Sequence, residues 1–580
     1  MFLNNIVIQN DFVTHERVDD IPLIMGLMQK LHLPEILDHH LGNHGNHQGL
    51  SNGWLATLWL VYILSESDHR KYTVQNWAES HRHTLERLID EPIRPVECND
   101  DRLEIVLRRL SNTQAWEALE TELWQNTLKV YAIEVEGIRL DSTTTYGYHR
   151  TKEDGLMQYG HSKDHRPDQP QLKLMAAAAE PSGHLLGVDV HPGQAADDPL
   201  YVPLMKRVRQ MLGRSGLLYM GDSKMSALAT RADIVASDDY YLMPLPRTGD
   251  TKDEFETWVD AVVDGKQPLQ PMWNSEGLLG AGYEFVRTQQ AEIDSEGVKW
   301  DERVLIICSL SHAQRQEKRL EQKLAQAQEA LWKLTPPPGR GRHQYRIAAD
   351  LQTAVDQVLE QYRVTGLLQV RWECEEKLIT RYVGPGRPGP NRPRKTERQV
   401  RYVITSVKRD EPAIAKQRRR MGWQVRVTNL SVAKAGIAQC EEYYRRGWCL
   451  EHGFHLLKDK PLGIRPLYVR KDDQILGLTR LLTLGARLLT LIQTQVRRGL
   501  KEQGEEMGGL YGGLPKLTTA RPTAKRMLKA FVRAEITLTR IQMGEYVRWH
   551  ITPLSPLLEK ILGYLDLSPS LYTRLIENST

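Results

Sequence analysis

Residues 135–145 read VEGIRLDSTTT, and this stretch opens the part of the chain that decides the fold. Polar and apolar side chains alternate over residues 135–140 and stop at Asp141, which is the pattern of a half-buried β-strand. Residues 171–177 and 184–190 predict two further strands. The chain therefore enters this region as three consecutive strands, and the first of them ends in a carboxylate.

Helices and strands alternate after this point. Asp197, with a proline two residues later, predicts the start of a helix that runs to about residue 211. Residues 217–220 form a short apolar strand that ends in Gly221-Asp222, a helix covers residues 227–235, and a last strand covers 240–244. Three strands followed by helix, strand, helix and strand is the order of a ribonuclease H-like α/β domain.

The flanking regions predict a larger architecture around this core. Helical 3–4 spacing of apolar residues dominates before it, a heterogeneous stretch with two Pro/Gly/Arg-rich loops follows it, and helical patterns return near the C-terminus. The fold class is α/β, with a large mixed α+β insertion, a helical N-terminal domain and a helical C-terminal region. The expected boundaries are 1–133 (helical domain), 134–246 (core, first part), 247–430 (insertion), 431–500 (core, second part) and 501–580 (helical C-terminal region).

Composition excludes several classes of protein. The longest apolar run, around residues 55–64, is far shorter than the roughly 20 residues of a membrane span, and the N-terminus lacks the pattern of a signal peptide. The five cysteines are scattered without a CxxC pair, which argues against a disulfide framework. We expect a soluble protein of a reducing compartment, the cytoplasm, with no membrane partner.

Charge is segregated along the chain although the net charge is only +4. Residues 1–135 hold 20 acidic and 11 basic side chains, residues 381–420 hold 3 and 13, and residues 458–550 hold 8 and 18. Strongly basic regions on a near-neutral protein favour a polyanionic partner at particular surfaces. Solvated charged faces are the alternative for either run alone.

Four histidines lie close together in a Gly/Asn-rich loop: His39, His40, His44 and His47. Imidazoles at such spacing can bind a metal. No cysteine or carboxylate stands at ligand spacing in the sequence, so a polar loop without metal is the stronger interpretation.

Three acidic residues have positions suited to chemistry. Asp141 and Asp222 end strands, and Glu451 lies on a predicted helix over residues 434–460. Tyr444, Glu451 and Lys458 recur at seven-residue spacing, which on one continuous helix places them on one face. Carboxylates that converge from two strand ends and a helix suit two divalent metals, and oxygen ligands favour Mg²⁺ or Mn²⁺. Taken singly, each acid is better explained as a strand-end cap, a turn residue or a surface charge.

Together these motifs resemble the DDE-class transposases of bacterial insertion sequences, with a Tyr-x2-Arg-x3-Glu-x6-Lys signature. Tyr444, Glu451 and Lys458 hold the signature spacings. Gly447 stands in the place of the arginine, and Arg446 precedes it by one residue. The resemblance covers roughly residues 135–496.

The resemblance implies roles for six residues. Asp141, Asp222 and Glu451 would be catalytic and bind two Mg²⁺ or Mn²⁺ ions, while Tyr444, Arg446 and Lys458 would contact DNA phosphates. The segment 160–168 resembles the connector before the second strand in this family, where its basic and hydroxyl groups either contact phosphate or form a polar hairpin loop.

The implied function is a transposase that binds terminal inverted repeats, cleaves the element ends and transfers strands into target DNA. Its partners would be double-stranded DNA and a second copy in a synaptic homodimer, acting at the bacterial nucleoid. No nucleotide cofactor is expected, because no Gly-x4-Gly-Lys-[Ser/Thr] motif is present. The alternatives are a ribonuclease H-like metal-dependent nuclease or resolvase without strand transfer, and a non-catalytic DNA-binding relative.

Overall fold

A computed structural model describes residues 12–43, 48–293, 295–385, 390–391, 393–514, 516–544 and 546–577. The chain forms two compact units. The first comprises Met1–Met243, Gln289–Trp300 and Tyr443–Thr580, and the second comprises Pro244–Thr288 and Asp301–Glu442. The five domain boundaries expected from the sequence stay a prediction.

The N-terminal part of the first unit is mainly helical, as its apolar spacing predicts. Its elements are β1 (Phe12–Arg17), α1 (Ile21–Lys30), α2 (Leu33–Leu41), α3 (Asn52–Glu66), α4 (Val74–Ser80), α5 (Arg82–Ile89), α6 (Asp100–Leu110) and α7 (Thr113–Tyr131). Side-chain oxygens of Ser51, Asn99 and Asn112 cap α3, α6 and α7 by accepting backbone N–H bonds. α3 is buried on nearly all sides, so it forms the centre of this helical region.

The core strands and helices follow in the predicted order. They are β2 (Gly137–Tyr146), β3 (Gln171–Glu180), β4 (His184–Pro192), α8 (Tyr201–Leu212), β5 (Leu218–Met220), α9 (Leu228–Ala236) and β6 (Tyr240–Pro244). The strand order is β4-β3-β2-β5-β6, in which β2–β3 and β3–β4 are antiparallel and β2–β5 and β5–β6 are parallel. This is the sheet of the ribonuclease H-like fold, so the predicted fold class is confirmed.

One prediction about the first strand is wrong in detail. β2 does not end at Asp141 but continues to Tyr146, so the carboxylate lies in the middle of the strand. The β-branched run Thr143 to Thr145 carries the strand on, because these residues pair with Leu174 to Leu172 of β3.

The second unit is mixed α+β, with more strand than the sequence indicates. It contains α10 (Asp250–Val263), β7 (Gln270–Asn274), α11 (Leu310–Leu334), α12 (Ala348–Gln361), β10 (Leu368–Tyr382), β11 (Arg394–Arg409), α13 (Glu411–Arg419), β12 (Trp423–Thr428), and most of β8 (Gly277–Ile293) and β9 (Glu296–Ser309). β12, β9, β8 and β7 are neighbours in that order, and β10 and β11 form a separate antiparallel pair. Leu324, Leu331 and Leu351 are buried where α11 and α12 pack together.

The C-terminal part departs from a purely helical pattern. It contains α14 (Ile437–Arg445), α15 (Trp448–Lys458), α16 (Asp472–Gln503), α17 (Ala524–Arg533), β13 (Thr537–Met543), β14 (Tyr546–Ile551), α18 (Pro556–Tyr564) and α19 (Ser570–Thr573). The sequence pattern predicts one helix over residues 523–540, but α17 ends at Arg533. The strand β13 follows it and pairs with both β14 and the N-terminal β1. The N-terminal strand β1 and a hairpin near the C-terminal end therefore form one small sheet.

α16 is the one described helix that is long and apolar enough to cross a membrane. The helical pattern over residues 474–498 predicts this helix, and Arg480 and Arg487 interrupt its apolar run. Of its most apolar 18-residue window, 94% is buried inside the protein, against elements that include α6 and β4. α16 is thus accounted for as a core helix.

Candidate active site

Strand register places the first two predicted carboxylates next to each other. β2 and β5 are parallel neighbours, and Arg139 lies opposite Met220. Two residues further along each segment stand Asp141 and Asp222. Neighbouring strands are about 4.8 Å apart, so Asp222 follows β5 at the level of Asp141.

Lys163, from the connector between β2 and β3, faces Asp141. Its Nζ lies 3.1 Å from Asp141 Oδ1 and donates to the carbonyl oxygen of Ser142 at 2.6 Å. Partial burial raises the pKa of Asp141, the Lys163 ammonium opposes that rise, and the charge of Asp222 adds to it. A carboxylate whose ionisation is disfavoured by a neighbouring charge gains from any nearby cation, so Asp141 is electrostatically suited to binding a divalent ion.

Asp222 is held by a residue that the sequence analysis did not single out. The Tyr201 hydroxyl, at the start of α8, donates to Asp222 Oδ1 at 2.8 Å, and the backbone N–H of Lys224 donates to the same oxygen at 3.0 Å. Burial, and then the Asp222 charge, raise the pKa of Tyr201 well above its usual value. Tyr201 therefore stays protonated and orients the carboxylate.

Asp197 is a third acidic residue at the site, after Asp141 and Asp222. The sequence analysis treated it only as the start of a helix. Lys173 Nζ and Lys224 Nζ each lie 2.5 Å from one of its oxygens. Burial acts to raise the pKa of Asp197, but these two hydrogen-bonded lysines hold it well below its usual range. The alternation that places Lys173 inside β3 was the available signal for this ion-pair network.

The predicted helix over 434–460 is broken. α14 ends at Arg445 and α15 begins at Trp448, with Arg446 and Gly447 in a turn between them. Glycine is a poor helix former, and it stands where the resemblance expects an arginine. Tyr444 is therefore on a different helix from Glu451 and Lys458, and the expectation of one shared helical face is wrong.

One contact from α14 and one from α15 hold these helices alongside β2. Arg139 donates to the carbonyl oxygen of Tyr443 at 2.9 Å, and Lys458 donates to Thr143 Oγ1 at 2.7 Å. Alternate residues of a strand share a face, so Asp141 lies on that face between Arg139 and Thr143. α15 therefore runs past the strand that carries the first carboxylate.

Lys458 is a largely buried lysine and not a surface one. Its side chain is 13% exposed, and its Nζ lies 2.8 Å from Asp164 Oδ1, which Arg465 also contacts at 2.8 Å. Burial lowers the pKa of Lys458, and the hydrogen bond that it donates to Asp164 opposes that shift. The connector thus joins the end of α15 through Asp164.

Arg446 and Tyr444, the other two residues predicted to contact DNA, make contacts within the protein. Arg446 Nη1 lies 2.5 Å from Glu136 Oε2, and its guanidinium lies over the ring of Tyr443. The Arg139 guanidinium carbon lies 5.4 Å from the ring centre of Tyr444. Arg446 and Tyr444 are both half-buried, so a phosphate contact requires that Arg446 leave its ion pair.

A cleft of about 1000 Å³ opens beside Lys458. One wall comes from the end of α3, α4 and the segment between them, and the other from the loop between α15 and α16. Its lining includes the basic and aromatic residues Arg70, Trp77, Lys458, Lys460, Arg465 and Tyr468, together with the acidic residues Glu66, Asp68 and Asp459. Such a surface is chemically suited to a nucleic-acid backbone.

The three predicted metal ligands do not converge in this structure. Glu451 is exposed in the first turn of α15 and has no hydrogen-bond or ion-pair partner among the residues described. Within the described chain, the only three ligand atoms from His, Cys, Asp or Glu that lie within 4.8 Å of one another belong to His39, His40 and Glu122. Ligand oxygens of Asp141, Asp222 and Glu451 therefore do not all lie within this distance of one another, and their role as one metal site stays a prediction.

Comparisons with known proteins cover most of the chain. Residues 136–486 match the family model described as a transposase DDE domain, and residues 13–123 match a domain of unknown function. No curated protein matches the chain. A similar solved chain comes from the "Cryo-EM structure of piggyBac transposase synaptic complex with hairpin DNA", at 7% identity and a TM-score of 0.32, over 97% of this chain and 86% of that one.

Proposed function

The chain belongs to the transposase DDE domain family, and from this premise we propose that it cuts and joins DNA at the ends of an insertion sequence. It would bind the terminal inverted repeats, hydrolyse phosphodiester bonds at the element ends and transfer the freed 3′-hydroxyl into target DNA. Two element ends held together make a homodimer the expected working form. The observation that carries this proposal is the register that sets Asp222 level with Asp141.

Transposases of this family generally use divalent metal ions, and the residues at the site fit them. Asp141 and Asp222 offer carboxylate oxygens, which are the ligands that Mg²⁺ and Mn²⁺ prefer. Partial burial raises the pKa of Asp141, Lys163 opposes the rise and the Asp222 charge adds to it, which supports a site that gains from added positive charge. When bound, a pair of such ions would supply nucleophile activation and stabilise the leaving oxygen.

Glu451 would complete the ligand set after a movement of α15 or of its side chain. Its exposure and lack of a partner leave its carboxylate available to turn toward Asp141. The break at Gly447 separates α15 from α14, so α15 can move independently of α14. We infer that DNA and metal together favour the closed arrangement.

Phosphates next to the scissile bond would lie in the cleft beside Lys458. Lys460 and Arg465 supply positive charge there, and Tyr468 supplies an exposed ring. Lys458 would both position Asp164 and contact phosphate. Tyr444 would lie next to the scissile bond, and Arg446 would reach it on release from Glu136.

A non-catalytic DNA-binding relative is the second candidate. The lack of a close triad of Asp141, Asp222 and Glu451, together with the glycine at 447, favours it. A metal-dependent nuclease without strand transfer remains the third possibility.

One assay separates these functions. The protein is incubated with Mg²⁺ or Mn²⁺ and labelled DNA that carries the element ends, together with an unlabelled target plasmid. Cleaved and joined products support the transposase, cleavage alone supports a nuclease, and binding alone supports the inert relative. Glu451→Gln is expected to abolish both products, with Glu35→Gln, a substitution of an exposed glutamate on α2, as the matched control. Joining by Glu451→Gln at the wild-type rate would overturn the assignment.

A further inference from the structure

Two adjacent histidines and a distant glutamate meet at the surface of the helical region. His39 and His40 lie in the last turn of α2, and Glu122 lies on α7. His39 Nδ1 is 3.0 Å and His40 Nε2 is 2.7 Å from the same oxygen, Glu122 Oε2. His40 is largely buried, with a side chain 15% exposed, while His39 and Glu122 are 70% and 43% exposed, so the site is anchored at His40 and open to solvent at His39.

We propose that His39, His40 and Glu122 bind one Zn²⁺ or a similar borderline divalent transition metal. Two imidazole nitrogens and a carboxylate are a ligand set that zinc takes, with water in the fourth position. Zinc–ligand bonds of about 2.0–2.2 Å set the ligand atoms of a tetrahedron about 3.4 Å apart. The two observed separations therefore need to open by only about half an ångström, which side-chain rotation provides.

The site differs in chemistry from the aspartate pair. Nitrogen ligands favour zinc over the hard ions that carboxylates select, so each site has its own metal. Its ligands come from α2 and α7, which pack against each other. A bound ion would join these two helices and so stabilise the helical region. Within the described chain, Glu122 has no ion-pair partner besides His39 and His40.

The competing interpretation is a plain ion pair. The half-exposed Glu122 has a pKa below its usual value, because hydrogen bonds from His40 and His39 outweigh its partial burial. An ion pair requires protonated imidazole, whereas a metal requires the deprotonated ring. Metal binding is therefore measurable as an event separate from the ion pair.

Zinc binding to the full-length protein tests the proposal. The protein is stripped with a chelator and titrated with Zn²⁺ against a chromophoric competitor, in excess Mg²⁺ that saturates carboxylate sites. Wild type is expected to bind one more zinc than His40→Ala or Glu122→Gln, and to gain thermal stability that neither variant gains. His83→Ala, which alters a half-buried histidine on α5, is expected to match wild type.

Co²⁺ gives an independent signature. In the wild type, Co²⁺ is expected to produce the visible bands of four-coordinate cobalt without a thiolate charge-transfer band, and Glu122→Gln to lose them. Equal zinc stoichiometry in wild type and Glu122→Gln would overturn the proposal, even if His40→Ala failed to fold. The result is independent of DNA cleavage, so it stands or falls apart from the proposed function.

Discussion

Asp197 and Asp20 are equally buried, yet the two regions that hold them treat a carboxylate in opposite ways. In the strand region, Lys173 and Lys224 outweigh burial and hold the pKa of Asp197 well below its usual range. In the helical region, burial raises the pKa of Asp20 to about 7, and its main hydrogen bond comes from the Ser65 hydroxyl. Two lysines therefore keep Asp197 charged, whereas Asp20 is protonated below about pH 7.

This difference between Asp197 and Asp20 distinguishes the region suited to metal and phosphate binding from the helical region. Asp141, Asp164 and Asp197 each face a lysine, and all three belong to β2, the connector or the start of α8. A region dense in paired charges is prepared for metal and phosphate, whereas Asp20 is an acid buried in a helical core. Each prediction below changes one side of this comparison.

The largest effect is expected for Asp141→Asn. Removing one carboxylate of the aspartate pair should lower the rates of cleavage and joining by more than about a thousandfold, since loss of a single electrostatic group in an active site already costs up to about that factor. Rates on labelled element ends measure it. Asp168→Asn, whose exposed carboxylate pairs with Arg166, should retain activity. Comparable rates for both variants would remove Asp141 from the active site.

The next effect is on stability and depends on pH. Because the folded-state pKa of Asp20 is above its unfolded value, its contribution to stability is complete below about pH 4 and is lost as the pH rises through about 7. Asp20→Asn should therefore be nearly neutral near pH 4 and gain up to about 4 kcal/mol relative to wild type at pH 8. Urea unfolding at both pH values measures this.

A matched variant separates the helical core from general charge effects. Asp101→Asn removes an exposed carboxylate from the first turn of α6 and should show no comparable pH dependence. If Asp20→Asn and wild type gave parallel stability curves, Asp20 would be ionised in the folded protein, and the contrast with Asp197 would fail.

Much of the fold was predictable because the strand and helix patterns of the core are local. Alternation gave β2 to β6 in order, and the parallel arrangement of β2 and β5 implied that Asp141 and Asp222 meet. The break between α14 and α15 was missed, because the surrounding residues are good helix formers and only Gly447 marks it. β13 was missed because the helix expected over 523–540 was continued through it, although it pairs with the adjacent β14 as well as with β1, more than 500 residues away.

The sites show the same division between local and distant information. Adjacent histidines drew attention to His39 and His40, but no spacing rule reveals Glu122, which is brought there by the packing of α7 on α2. The ion pair of Lys458 with Asp164 likewise depends on where the connector folds. His44 and His47, named in the same prediction, lie outside the described residues.

Lys458→Met tests the anchored end of α15. Asp164 would keep Arg465 but lose a charged hydrogen bond, so the free energy of unfolding should fall by about 2 kcal/mol, as for other hydrogen bonds to charged groups. Lys460→Met changes an exposed lysine two residues away and should leave stability unchanged. Equal urea midpoints for the two variants would show that the buried pair does not hold α15.

The smallest effect is expected for Lys163→Gln. The Lys163 ammonium faces Asp141 in the absence of metal, and an incoming divalent ion must displace it or share its charge. A partly exposed ion pair contributes about 1 kcal/mol, so its removal should tighten Mn²⁺ binding roughly fivefold at pH 8, where glutamine offers no competing charge. Lys152→Gln, in the exposed loop before the connector, should bind Mn²⁺ like wild type. Weaker Mn²⁺ binding by Lys163→Gln would mean that this lysine supports the metal site instead of competing with it, and that the strand region's cations are part of the ligand environment.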